Sequence, residues 1–414
     1  MAADQDTQSE ETGKRVSWVE LYLDLVFVLA VGELAKLIID EPHLRTVWIT
    51  LGLFVTLWWT WVGFTVLYNR HGADTPSHRA LYLLASLPVG AAAVALGPAS
   101  HGHTAAFAIT LAATRVVLAI GNARDDDPGS SVGDQLRLHT VRAYLLSVVL
   151  FIGSIWIPSP FRYVIWAAAL IHESAVMLAD DRRRQRRRRR SNHARALSRI
   201  GSADQGAVVE AHHFAERFGL FIIILLGEVV VEAGEAAADG RALTAATWAG
   251  VLAAMALAAT LWWTYFDAAA DIDLRLLERS GGSPSMAHAI FAGGHMIPAF
   301  ALLVSAAGVG LLLSEDPAPF AYWLAGIGAA IYLSGVRASM RAQRRRDHLL
   351  RVAATAITFA FGALHAVMSP SAYLWLLAAW VAFNAALTAR TTPPVDAPSA
   401  EAPATDATAA ASDA

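Results

Sequence analysis

About twelve apolar stretches recur along this 414-residue chain, each long enough to cross roughly 30 Å of hydrocarbon as a helix. They fall at 19–39, 47–68, 80–97, 104–121, 142–158, 161–179, 214–234, 245–266, 286–313, 318–336, 349–368 and 371–389. In lipid, every backbone N–H and C=O must be satisfied within the segment itself, and for runs of this length that means α-helix. Composition agrees: 56% of residues are hydrophobic and 16% are charged, where a soluble domain carries about a quarter charged. The expected fold class is an all-α polytopic membrane protein. Tight hairpins are expected at Gly97-Pro98, Pro158-Ser159-Pro160 and Ser369-Pro370.

The basic residues orient the bundle. With the N-terminus inside, the inner segments hold Lys14, Arg15, Arg70, Arg79, Arg124, Arg137, Arg142, ten arginines between 182 and 199, Arg275, Arg279, six from Arg337 to Arg351, and Arg390. The outer loops hold only Arg45, Arg162 and Arg241, and Lys36, Arg115 and Arg217 belong to spans. That asymmetry predicts a multi-pass protein of the cytoplasmic membrane with both termini cytoplasmic. No cleavable leader is expected, because residues 1–17 are polar and the first apolar run carries Glu20, Asp24 and Glu33.

The run Arg182, Arg183, Arg184, Arg186, Arg187, Arg188, Arg189 and Arg190 splits the chain into halves that resemble each other. Leu57-Trp58-Trp59-Thr60-Trp61 matches Leu261-Trp262-Trp263-Thr264-Tyr265, Gly32-Glu33 matches Gly227-Glu228, and Pro88 and Pro298 fall at comparable places. Six helices per half is an even number, so the halves enter from the same side as two parallel six-helix repeats. The organisation expected is a cytoplasmic tail (1–18), a first repeat (19–179), an Arg-rich cytoplasmic linker (180–213), a second repeat (214–389) and a disordered tail (390–414). In a cytoplasmic linker the eight arginines are expected to bind anionic lipid headgroups rather than nucleic acid.

Ionisable residues inside a bilayer cost roughly 2.5–3.5 kcal/mol each on insertion scales, so each needs a reason. Glu20 and Asp24 share one face of the first helix, and Glu33 lies nearer the outside. Glu20 at the interface and Asp24 paired to Arg115 or Arg217 would be structural; Asp24, Glu33, Glu173, Glu216, Glu228, His172 and His295 are the candidates for an ion or proton pathway. Glu232 and Glu235 continue the Glu228 stripe and are expected to be a solvated helix end. The tryptophan clusters are expected to be packing and aromatic belt. If the halves are repeats, Gly32-Glu33 and Gly227-Glu228 occupy equivalent depths, and the two carboxylates read either as converging on a shared cation or proton site or as outer-end helix caps hydrated by water.

Several chemistries lack support. The chain has no cysteine, no Gly-rich phosphate loop, no Gly-x-Ser-x-Gly and no His-Glu-x-x-His, so no cofactor, no metal and no enzymatic activity are expected. An intramembrane enzyme would have only His172, Glu173 and His295 as its acid/base or metal set.

Val16-Ser17-Trp18-Val19-Glu20-Leu21-Tyr22-Leu23-Asp24-Leu25-Val26-Phe27-Val28 resembles the opening signature of the bacterial low temperature requirement protein A family, E-L-F-F-D-L-V-F-V. Trp58-Trp59-Thr60-Trp61 with Asn69, Glu216-Arg217-Phe218-Gly219-Leu220-Phe221 to Leu226-Gly227-Glu228, Leu261-Trp262-Trp263 to Phe266-Asp267, and His295-Met296-Ile297-Pro298 resemble its later motifs in order. The resemblance implies that Glu20, Asp24, Glu216, Arg217 and Glu228 are characteristic polar positions, and it brings no biochemical mechanism. His172-Glu173 and the arginine run do not look like family features. Tyr22-Leu23-Asp24-Leu25-Val26-Phe27 is also similar to the F-S-D-x-x-F segment of lysosomal and bacterial potassium channels built from six-helix repeats. The functional expectation is a proton- or cation-coupled transporter of a small solute or ion. The alternatives are a passive cation channel and a non-transporting membrane protein for cold or envelope stress adaptation.

Overall fold

The computed structural model describes residues 16–71, 75–124, 131–196, 211–238, 244–269, 288–338 and 345–391. The N- and C-terminal tails and most of the second half of the 180–213 linker therefore lie outside the described residues. Among these residues no strand occurs. The long helices are α1 (Trp18–Asp40), α2 (Leu44–His71), α3 (Pro76–Val94), α4 (Ala105–Ala123), α5 (Ser131–Gly153), α6 (Phe161–Ala196), α7 (Ala211–Ala238), α8 (Ala245–Thr264), α9 (Gly294–Leu312), α10 (Pro319–Ala338), α11 (Arg345–Ala360) and α12 (Pro370–Thr391).

Their starts follow local chemistry. Ser17 and Glu20 form a reciprocal capping box at α1, satisfying two N–H groups that open the helix. Thr75 and Thr244 cap α3 and α8 through their hydroxyls. The expected hairpins form: a short turn at Leu96–Ser100 leads from α3 toward α4, and 3₁₀ turns at Ser154–Trp156 and Phe361–Ala366 precede the links to α6 and α12.

Seven of these helices (α2, α4, α5, α8, α9, α10 and α12) are long and apolar enough to cross a membrane. The chain is thus a multi-pass membrane protein, with seven spans supported by length and apolarity where twelve were expected. The charges in α1 and α7 lower their apolarity, and half of those charges are turned inward: Glu20, Asp24, Arg217, Glu228 and Glu232 are all buried. α9 is the most enclosed of the seven, with 78% of its apolar stretch buried, whereas α5 and α8 are at 33% and present large apolar side chains outward.

Within the first half, α1 packs on α2 and α3, both of these pack on α4, α4 on α5, α5 on α6, and α6 touches α2. In the second half α7 packs on α8 and α9, both pack on α10, α10 on α11, α11 on α12, and α12 lies along α8. The halves meet where α1 and α2 face α7 and α9. Small residues allow the closest approach, between α9 and α10: a methyl group on Gly308 would stand 2.4 Å from the Ala325 nitrogen. Pro298, inside α9, is accommodated by Gly335, where a methyl group would come within 2.6 Å of the proline ring. Helix α8 runs into a π-helical turn (Tyr265–Ala269), and another (His288–Gly293) leads into α9.

Candidate functional site

The densest polar cluster lies where the N-terminal turns of α1 and α7 meet. Glu20 and Asp24 are one turn apart on α1, and His213 and Arg217 one turn apart on α7, so two pairs of side chains face each other across the halves. Arg217 donates through Nη1 to Glu20 Oε1 at 2.6 Å and through Nη2 to Asp24 Oδ1 at 3.1 Å. The Trp61 indole on α2 donates to the same Oδ1 at 2.7 Å. His213 Nε2 meets Glu20 Oε2 at 3.3 Å, and its Nδ1 meets the Asn69 amide at 3.2 Å. Glu20, Asp24, His213 and Arg217 are each 0% exposed.

Two carboxyl groups surround one guanidinium in this cluster. Burying a charge is expensive, and the guanidinium shared by both acids is what offsets that cost here. Asp24 Oδ2 and Arg217 Nε are buried without a partner, which leaves a second acceptor and donor unused. Glu20 is fully buried within the protein and is a charge partner of Arg217, and of the two arginines considered for Asp24 it is Arg217 that meets it.

Arg115 on α4 instead pairs with Glu173 on α6. Its Nε and Nη2 donate to Oε1 and Oε2 at 3.1 and 3.3 Å, and Nη1 donates to Thr60 at 2.5 Å and Thr114 at 3.2 Å. Its guanidinium also sits 5.0 Å from the centre of the Phe151 ring. One cation and one anion are balanced here and every Arg115 nitrogen is used. The fork is an internal strut of the first half.

The third cluster lies on the same two helices as the first, toward their C-terminal ends. From Arg217 to Glu228 is eleven residues, about 16 Å of helix, and from Glu20 to Gly32 on α1 is nearly the same. Glu228 packs on Gly32, and a methyl group there would come within 3.2 Å of its Oε1. Between the two clusters lies an aromatic plug. The Trp61 and Phe221 rings are tilted against each other with centroids 4.3 Å apart, and those of Trp58 and Trp61 are 5.4 Å apart. Phe27, Phe54, Trp58, Trp61 and Phe221 enclose a cavity of about 10 Å³, the threshold for one water. Trp58 also donates to the Ala292 carbonyl, tying α2 to the π-turn before α9.

Other expected site residues are not brought together. Glu216 is exposed on α7, and His172 is half-exposed beside Glu173, whose two oxygens belong to Arg115. His295 is buried and bonded to the Tyr265 hydroxyl at 2.9 Å and the Ile290 carbonyl at 3.1 Å. A relay through His172, Glu173 and His295 is not assembled. Glu33 is half-exposed and does not converge with Glu228; the carboxyl that Glu228 meets is Glu232, which is buried rather than solvated. Gly227 faces open space, so only the Gly32 half of the expected glycine contact exists. Trp58 and Trp61 are packing, whereas Trp262 and Trp263 point outward as a belt would. The arginine run continues α6 as helix, but the side chains of Arg182 to Arg190 lie outside those described.

Sequence reasoning missed His213, Asn69 and Trp61 as members of the first cluster. Spacing offered one signal, since His213 stands one turn before Arg217. The other two become visible only when α2 lies against α1 and α7.

The fold and its buried charges define a multi-pass helical membrane protein with an ion network between two halves. The chain belongs to the bacterial low temperature requirement A protein (LtrA) family, whose profile matches residues 15–386. It is similar to the uncharacterized protein RA0937 of Rhizobium meliloti (strain 1021), 24% identical over 340 residues that cover 80% of this chain and 78% of the relative. No solved structure matches it.

Proposed function

We propose that this protein moves a small solute or ion across the cytoplasmic membrane, coupled to protons or cations. The observation that carries the reading is the arrangement on α1 and α7: a buried network of two carboxyls around one guanidinium at one end, a buried carboxyl pair at the other, and an aromatic plug between them. Buried carboxyls are costly in a bilayer unless they line a path. The plug favours a gated transporter over an open pore, because its cavity has room for about one water and passage requires the aromatics to move.

Twelve spans in two parallel six-helix repeats, with the arginine-rich end and both termini cytoplasmic, complete the reading. The identical order of helix partners in the two halves supports the repeat. Orientation rests on the basic residues. Of the 36 residues in α6, about 20 suffice to cross the hydrocarbon, so Arg182 to Arg190 would emerge at headgroup level beside anionic lipid.

The test uses the full chain in proteoliposomes with entrapped pyranine under an imposed pH gradient. Proton movement above empty vesicles, reduced at least about tenfold in Asp24→Asn, is the expected result. Movement of sodium or rubidium that needs no pH gradient would assign a passive channel. A second reading, a non-transporting protein for cold or envelope stress, is favoured by the complete Arg115–Glu173 fork and by the pairing of Arg217. Under it, no vesicle flux appears, and deleting residues 182–190 abolishes the growth phenotype while Asp24→Asn leaves it intact.

A further inference from the structure

Glu228 and Glu232 are four residues apart on one face of α7, and 4% and 3% of their surfaces are exposed. Each is seated against a glycine of a facing helix. Besides the Gly32 contact to Glu228, a methyl group on Gly310 of α9 would come within 3.0 Å of Glu232 Oε2. The two carboxyl groups lie within hydrogen-bonding reach of each other. Glu232 Oε1 is buried and has no partner. This is a notch closed by both halves of the protein, α1 from the first and α9 from the second.

The charged surroundings are sparse. Glu235 on α7 and Lys36 on α1 are within electrostatic reach, and both side chains are exposed. Among the described residues no ion pair joins Lys36 to either acid. Helix α8 has no ionisable residue, α9 has only His295 near its opposite end, and α2 has at this end only Arg45, which is exposed. Among the described residues no arginine or histidine balances the pair.

An ionised carboxylate only accepts hydrogen bonds, so a bond between two carboxyls needs a proton on one of them. Two neighbouring carboxylates in a low-dielectric site cannot both stay charged without a cation. We propose that Glu228 and Glu232 form a proton-binding site that holds one proton between them, with Glu232 Oε1 as the oxygen left for its exchange. The proton is then the coupling ion of the transport reading above; that assignment rests on the reading, whereas the site itself rests on the notch.

Infrared difference spectroscopy of the full-length protein in liposomes tests the site directly. The expected result is a protonated-carboxyl C=O band at neutral pH that shifts in deuterium oxide. The double variant Glu228→Gln with Glu232→Gln should abolish it, and Glu235→Gln should leave it unchanged. Gly32→Ala keeps both acids but crowds Glu228 Oε1, so the band should shift in frequency without loss; this arm remains readable if a glutamine variant fails to fold. Absence of the band in the unaltered protein, or its unchanged survival in the double glutamine variant, overturns the site. Release of the proton on adding sodium chloride overturns it in favour of a metal-cation site. A normal band with no vesicle flux leaves the site standing and removes the transport reading, while flux without the band does the reverse.

Discussion

At the residue scale, the two buried arginines differ in kind. Arg217 bonds both Glu20 and Asp24, so Arg217→Met leaves the two buried acids without their shared guanidinium. Removing one partner from a buried ion network costs about 3–5 kcal/mol. The expected outcome is a large loss of thermal stability in detergent, partly restored when Asp24→Asn is added to Arg217→Met. Asp24→Asn alone keeps an oxygen to accept from Trp61 and is expected to be much milder. Arg115 and Glu173 form a balanced pair, and replacing both together with apolar residues of similar volume should be nearly neutral. A double-mutant cycle followed by thermal unfolding measures both cases.

At the scale of elements, the α9–α10 contact is the tightest. Gly308→Leu forces the Ala325 backbone away and is expected to destabilise by about 1–3 kcal/mol, whereas Gly52→Leu, which meets nothing within 4 Å, should be tolerated. The links carry a pH-dependent tether at the end opposite the arginines. His101, after the Leu96–Ser100 turn, donates a hydrogen bond to the Gly97 carbonyl and meets Glu41 at 3.3 Å. The Gly97 bond first, and Glu41 second, raise its pKa above the ordinary histidine value. Because the folded value is the higher one, the tether is fully present below the ordinary value and is lost as pH rises through the raised one. An NMR titration of the His101 ring should show the upward shift, reduced in Glu41→Gln. Both groups are exposed, so the change in global stability is small.

For the whole molecule, the two halves share one order of helix partners but not one chemistry. The first half buries Trp58 and Trp61 against the interface, whereas the second turns Trp262 and Trp263 outward, so α2 faces the centre and α8 the periphery. The absence of native cysteine makes topology directly measurable. With an impermeant thiol reagent on intact cells, His101→Cys and Arg162→Cys are expected to label, and Arg190→Cys to label only after permeabilisation. Labelling at position 190 from outside would reverse the assigned orientation.

Membrane residence, the helical class and the approximate extent of the helices were legible in the chain, because hydrocarbon leaves the backbone one solution and the apolar runs report it residue by residue. Hairpins at Gly97-Pro98 and Ser369-Pro370 were legible for the same local reason. Partner choice was not. Glu232 reads as a solvated helix end by position and is buried, because a neighbouring helix covers it. Asp24 had two arginines within plausible reach, and only the packing of α1 on α7, with α4 turned toward α6, directs Arg217 to Asp24 and Arg115 to Glu173. Along one strand of sequence, depth and face are periodic and readable; which faces meet depends on side-chain volumes summed over several helices, and that sum exists only in the folded bundle.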